Sequence, residues 1–87
     1  MNVFEQIGFD PQESANLIVR ADLIRALEKY INENDITQSR AARLMGVSQP
    51  VISDLMRGKI DKFSIDKLVT MASRAGLSVS VSVANAA

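Results

Sequence analysis

Ser48, Gln49, Pro50 and Ser53 fall at the exposed start of what reads as a short helix. Their side chains suit hydrogen-bond reading rather than covalent chemistry. A glutamine such as Gln49 can pair bidentately with adenine, and Ser53 can serve several bases. Ser48 has a competing task as a helix cap. Pro50 cannot donate; its ring can touch a thymine methyl, or it can simply suit the first turn of a helix. Asp54 can accept from cytosine or orient Arg57, one turn on. Arg57 and Lys59 can meet phosphate or base edges, and Arg40 and Arg43 can meet phosphates, with plain solvation of Arg43 the competing reading.

Catalytic chemistry finds no comparable set. There is no histidine and no cysteine, which removes the commonest general base, the commonest metal ligands and any disulfide framework. Asp22, Glu28 and their neighbours lie at i,i+3 and i,i+4 from Arg25 and Lys29, which is ordinary helix stabilisation worth a few tenths of a kcal/mol per pair. Tyr30 is the one tyrosine, and the chain has neither a glycine-rich phosphate loop nor a spaced acidic metal set. The expectation is a protein that is not an enzyme and needs no metal or cofactor.

The elements that must position the polar residues lie between Thr37 and Lys59. The apolar positions Ala41, Ala42, Leu44, Met45, Val47, Ile52 and Leu55 describe two short helices joined at Met45-Gly46-Val47. Alanines come first, where two helices must approach closely, and larger aliphatics line the inner face of the second helix. Gly46 stands where a sharp turn often needs φ > 0. Thr37 caps a helix over about 38–45. Ser48 caps a recognition helix that stops near Arg57-Gly58. The pattern is that of a helix-turn-helix, a unit that lays its second helix in the DNA major groove.

Net charge is zero, but its distribution is uneven. Residues 1–36 carry seven carboxylates against three basic side chains, or −4; residues 37–62 carry five basic side chains against Asp54 and Asp61, or +3; the remainder is +1. The positive surplus therefore sits on the candidate reading unit.

Around that unit, residues 1–9 carry Val3, Phe4, Ile7 and Phe9 and read as an arm. Asp10-Pro11-Gln12-Glu13 is a strong helix start, with Asp10 as the cap. It opens a helix from about Pro11 to Asn34 with a buried stripe of Leu17, Ala21, Ile24, Leu27 and Ile31, flanked by Ile18 and Leu23. Lys59 to Phe63 is a linker with room for one 3₁₀ turn. Ser64 caps a last helix over about 65–75, with Phe63 and Leu68 in the positions of a hydrophobic staple. Its inner face is Ile65, Leu68, Val69 and Ala72. From Leu77 the period changes to two: Leu77, Val79, Val81 and Val83 alternate with three serines, a β-strand signature. A lone strand leaves backbone groups unpaired, and the same strand of a second copy would pair them while burying the valines. A frayed tail is the alternative. Ala84 to Ala87 is tail.

The run Thr37-Gln38, Ala41-Ala42, Leu44, Gly46-Val47-Ser48, Ile52-Ser53, Leu55 and Arg57-Gly58-Lys59 resembles the Cro/C1-type (XRE) helix-turn-helix family, and the likeness covers about residues 10–76. With one alternating strand after it, and with Asp54-Leu55-Met56-Arg57-Gly58-Lys59 followed by Phe63-Ser64, the chain is similar more narrowly to HigA-like antitoxins and related small regulators. The resemblance implies an all-α, lambda-repressor-like domain of four to five helices with a short C-terminal β-strand for dimerisation. It implies a homodimeric repressor of its own operon, and, for antitoxin members, a ribonuclease toxin as partner. In that family a glutamine at the position of Gln38 touches a phosphate.

The chain is thus expected to bind double-stranded DNA as a homodimer on an inverted repeat, through Gln38, Arg40, Arg43, Ser48, Gln49, Pro50, Ser53, Asp54, Arg57 and Lys59. The dimer would form through Leu77, Val79, Val81 and Val83. The organisation expected is an arm (1–9), one helix-turn-helix domain (10–76), a strand (77–83) and a tail (84–87). With no basic leader and no run near the roughly 20 apolar residues of a membrane span, the expected setting is soluble and cytoplasmic. The rival expectation is a module that acts mainly by binding a toxin, through the acidic first helix and the apolar arm.

Overall fold

The computed structural model describes residues 11–85. The arm with Val3, Phe4, Ile7 and Phe9, the Asp10 cap, and the last two alanines lie outside the described residues. Among those described are four α-helices and one 3₁₀ turn: α1 (Pro11–Glu33), α2 (Gln38–Met45), α3 (Gln49–Met56), the 3₁₀ turn (Ile60–Lys62) and α4 (Ile65–Arg74).

One core joins them. Ile24, Leu27 and Ile31 of α1 meet Ala41, Ala42 and Met45 of α2, Ile52 and Leu55 of α3, Phe63, and Leu68, Met71 and Ala72 of α4. The alanines let α2 pack closely, as their size suggests. Helix α4 packs on both α1 and α2. Its buried face is therefore rotated from the expected one: Met71 is fully enclosed, while Ile65 and Val69 are only half-buried. On α1 the stripe holds at Ile24, Leu27 and Ile31, but Ile18 is exposed, lying on the helix flank beside Leu17.

Every helix ends in the same way. A residue with positive φ (Asp35, Gly46, Gly58 or Gly76) follows it, and the next amide turns back to a carbonyl five residues earlier. The four bonds are Ile36 N–H to Ile31, Val47 N–H to Ala42, Lys59 N–H to Asp54 and Leu77 N–H to Ala72. Each satisfies a terminal carbonyl and reverses the chain. Glycine is required most clearly at Gly46, where φ is +70° and a Cβ would stand 2.7 Å from the Arg74 Cδ.

The expected β-strand over 77–83 is absent. Residues 77–85 form no strand, because no other described segment offers a partner edge. Leu77 must be reassigned: its amide closes α4, and its side chain packs half-buried against the core. Beyond it Val79 edges a groove with Val19, Leu23, Ile65 and Val69, whereas Val81 and Val83 are 83% and 92% exposed.

Candidate nucleic-acid interface

Helix α2 begins at Thr37, whose Oγ1 accepts from the Arg40 amide at 3.2 Å. That bond fixes the first turn carrying Gln38 and Arg40, both exposed. Arg43, also exposed, lies in the last turn, at the end joined to Gly46. Arg74 of α4 lies across that glycine. The αL turn then reverses the chain into α3.

Helix α3 has two unlike sides. Ile52 and Leu55 are completely enclosed and anchor it on the core. Gln49, Ser53 and Arg57 recur every four residues along another side, with Gln49 and Arg57 exposed and Ser53 half-buried. Eight residues make a rod of about 12 Å, comparable with the width of a B-DNA major groove. Ser48, Gln49 and Pro50 project at its N-terminus, the end from which such helices reach base edges.

Ser48 takes the extended backbone of a cap, with φ −79° and ψ 161°, but its hydroxyl makes no cap bond. Pro50, second in the helix, has no N–H. The next amide, of Val51, donates instead to the Ser48 backbone carbonyl at 3.1 Å. Both donors a capping hydroxyl could use are thus removed, and the Ser48 hydroxyl stays exposed beside Gln49. The capping role expected for Ser48 gives way to availability for a ligand.

Asp54 is also placed otherwise than expected. It does not orient Arg57; its Oδ1 lies 3.5 Å from the Lys59 Nζ. The cause is the helix end: Gly58 takes φ +68°, the Lys59 amide bonds back to the Asp54 carbonyl at 3.1 Å, and the two side chains are brought side by side. Arg57 extends into solvent.

Three basic residues outside the expected set lie on or against the linker that follows α3. Lys62 ends the 3₁₀ turn and is exposed. Lys67 lies over the Phe63 ring, 5.3 Å from its centre. Arg20 of α1, half-buried, donates from Nη1 to the carbonyls of Ile60 at 3.1 Å and Phe63 at 3.4 Å. A sequence signal for Arg20 existed: it falls three residues after Leu17 and four before Ile24, on the buried stripe, where a cation needs a partner.

On α1 the ion pairs Asp22–Arg25 and Lys29–Glu33 are exposed and remote in sequence from the reading unit. No described helix is long and apolar enough to cross a membrane.

Comparison with curated proteins gives no match. A protein family described as "Helix-turn-helix domain" matches residues 3–84. That span takes in all four helices, the Gly46 turn and the polar side of α3. The protein belongs to the helix-turn-helix domain family and carries that family's DNA-binding unit.

Proposed function

We propose that the protein is a sequence-specific transcriptional repressor that binds an inverted repeat as a homodimer and regulates its own promoter. The observation that carries this reading is the start of α3. Ser48 and Gln49 project there with side chains not consumed by the fold, on a helix whose opposite side is wholly anchored. Gln49 and Ser53 read bases, and Ser48 and Pro50 border them. Gln38, Arg40, Arg43, Arg57 and Lys59 supply the phosphate contacts, and Asp54 holds Lys59 in place. Two copies related by a two-fold axis would set two recognition helices about 34 Å apart, in successive major grooves. Val79, Val81 and Val83 are the side chains available for pairing those copies; Leu77 is not, being committed to its own core. The resemblance to XRE-type regulators points the same way.

Footprinting on the DNA upstream of the protein's own reading frame tests this. Protection of an inverted repeat is expected, and Gln49→Ala should lose more affinity for that site than for random DNA. Equal loss on both would remove the base-reading role.

A second reading, that of an antitoxin acting mainly by gripping a ribonuclease toxin, draws on α1. Ile18 and Val19 are exposed there, in a helix whose solvent side also carries Asp22 and Glu33. Asp22 and Glu33 pair with Arg25 and Lys29, so exposed Ile18 and Val19, rather than free negative charge, are what this surface offers a partner. A small basic reading frame next to this gene, whose product co-purifies with the protein, would favour it.

A further inference from the structure

We infer that Arg20 is a positioning residue for DNA binding, holding the linker after the recognition helix so that Lys59 and Lys62 meet the phosphate backbone together. The inference rests on the DNA-binding reading and adds to it a residue on a helix that itself contributes none of the proposed contacts.

The linker is weak by itself. A single 3₁₀ turn has poor hydrogen-bond geometry, and only Lys59 separates this one from the αL residue Gly58. Its own bonds are Lys62 N–H to Lys59, at 3.0 Å, and Phe63 N–H to Ile60, at 3.2 Å. A three-residue period sorts its side chains. Phe63 is buried and Ile60 half-buried, three apart, whereas Lys59 and Lys62, also three apart, are both exposed. The turn thus has an apolar inner edge and an outer edge with two ammonium groups.

Arg20 grips the inner edge at both ends. Its Nη1 reaches the carbonyls of Ile60 and Phe63, and its Nε donates to the Asn16 Oδ1 at 2.6 Å, which aims the guanidinium. Charge-assisted bonds are roughly twice as strong as neutral ones. The rigid, planar fork is what allows one side chain to hold two carbonyls and a side-chain amide together. A lysine there would keep the charge but act as a point donor. Where the two carbonyls sit sets the tilt of the turn, and the tilt sets where Lys59 and Lys62 point. Asp54 restrains Lys59 from the α3 side at 3.5 Å; no described ion pair restrains Lys62, which depends on the backbone alone.

Phosphate contacts do not depend on sequence, so a random duplex of about 30 base pairs suffices as a probe, with affinity followed by fluorescence anisotropy against salt. Arg20→Lys and Arg20→Gln should each lower the slope of log K against log salt by about one to two, and weaken binding roughly ten-fold near 0.1 M salt. Circular dichroism well below the melting point should remain that of the wild type. In the Arg20→Gln background, Lys62→Ala should have little further effect. A wild-type slope for Arg20→Lys would show that only charge matters there and would overturn the inference. So would an undiminished effect of Lys62→Ala in the Arg20→Gln background. If Arg20→Gln does not fold, Asn16→Ala, which removes only the aiming bond, decides by the same slope. A wild-type protein with no salt-dependent binding to the duplex would instead refute the DNA-binding reading itself.

Discussion

The starts of α2 and α4 differ from the start of α3 by a single bond. Thr37, Ser48 and Ser64 all precede a helix in extended backbone. Thr37 accepts from the Arg40 amide and Ser64 from the Lys67 amide, in each case the third residue of the helix. At α3 the third amide, of Val51, is taken by a backbone carbonyl, and the second residue is proline. Two hydroxyls are therefore spent on stability, and the third is left to face solvent at the tip of the recognition helix. Residue type at a cap position does not reveal which use is made of it; the residue two places on does.

Substitutions can break or sharpen that contrast. The largest effect is expected at the turn that separates the two kinds of helix start. Gly46→Ala must hold a Cβ in the left-handed region and displace Arg74, costing about 1–2 kcal/mol in chemical denaturation. A cost near zero would mean that the turn adapts. Next, Thr37→Ala and Ser64→Ala should each cost about 1 kcal/mol, lowering the melting temperature by several degrees. Third, Pro50→Ala restores an amide at the second position. In that background Ser48→Ala should become destabilising by roughly 0.5–1 kcal/mol, because the hydroxyl can then cap. Smallest of all, Ser48→Ala in the wild-type chain should change stability by no more than a few tenths of a kcal/mol while weakening binding to the protected operator. If it costs as much as Thr37→Ala, the contrast fails. A separate measurement addresses the tail: removing residues 79–87 should yield monomers in light scattering, and a truncated chain that stays dimeric would place the dimer contact elsewhere.

Most of the helical layout was legible in the sequence because local chemistry encodes it. Thr37, Gly46, Gly58, Ser64 and Gly76 mark boundaries within a residue of those observed, and the Phe63–Leu68 staple is in place with both side chains buried. What failed depended on contacts distant in sequence or on a partner. The face of α4 shifted to enclose Met71 because α4 packs on two helices at once. The valine alternation from Leu77 is a real period of two, yet a strand needs an edge to bond to, and the described residues offer none. Helix spacing pairs Asp54 with Arg57, but Lys59 folds back on Asp54 because Gly58 reverses the chain. The position of Arg20 on the buried stripe calls for a partner, but its partners are backbone carbonyls, 40 and 43 residues away, which carry no mark in the side-chain pattern. The exposed placement of Gln49 and Arg57 opposite the buried Ile52 and Leu55 follows from helical periodicity alone.

The shared closure of all four helix ends bears on how quickly this chain can find its fold. Each closure is a bond across five residues, made by the element's own termini, so the loops to be closed are short and their entropy cost small. With the helix limits set locally, docking of one long and three short rods is the main remaining step. Helical domains of this kind fold in microseconds to milliseconds. Temperature-jump relaxation should give a single phase in that range. Because the α3 closure forms before the rods dock, replacing Gly58 by alanine should slow refolding more than it speeds unfolding.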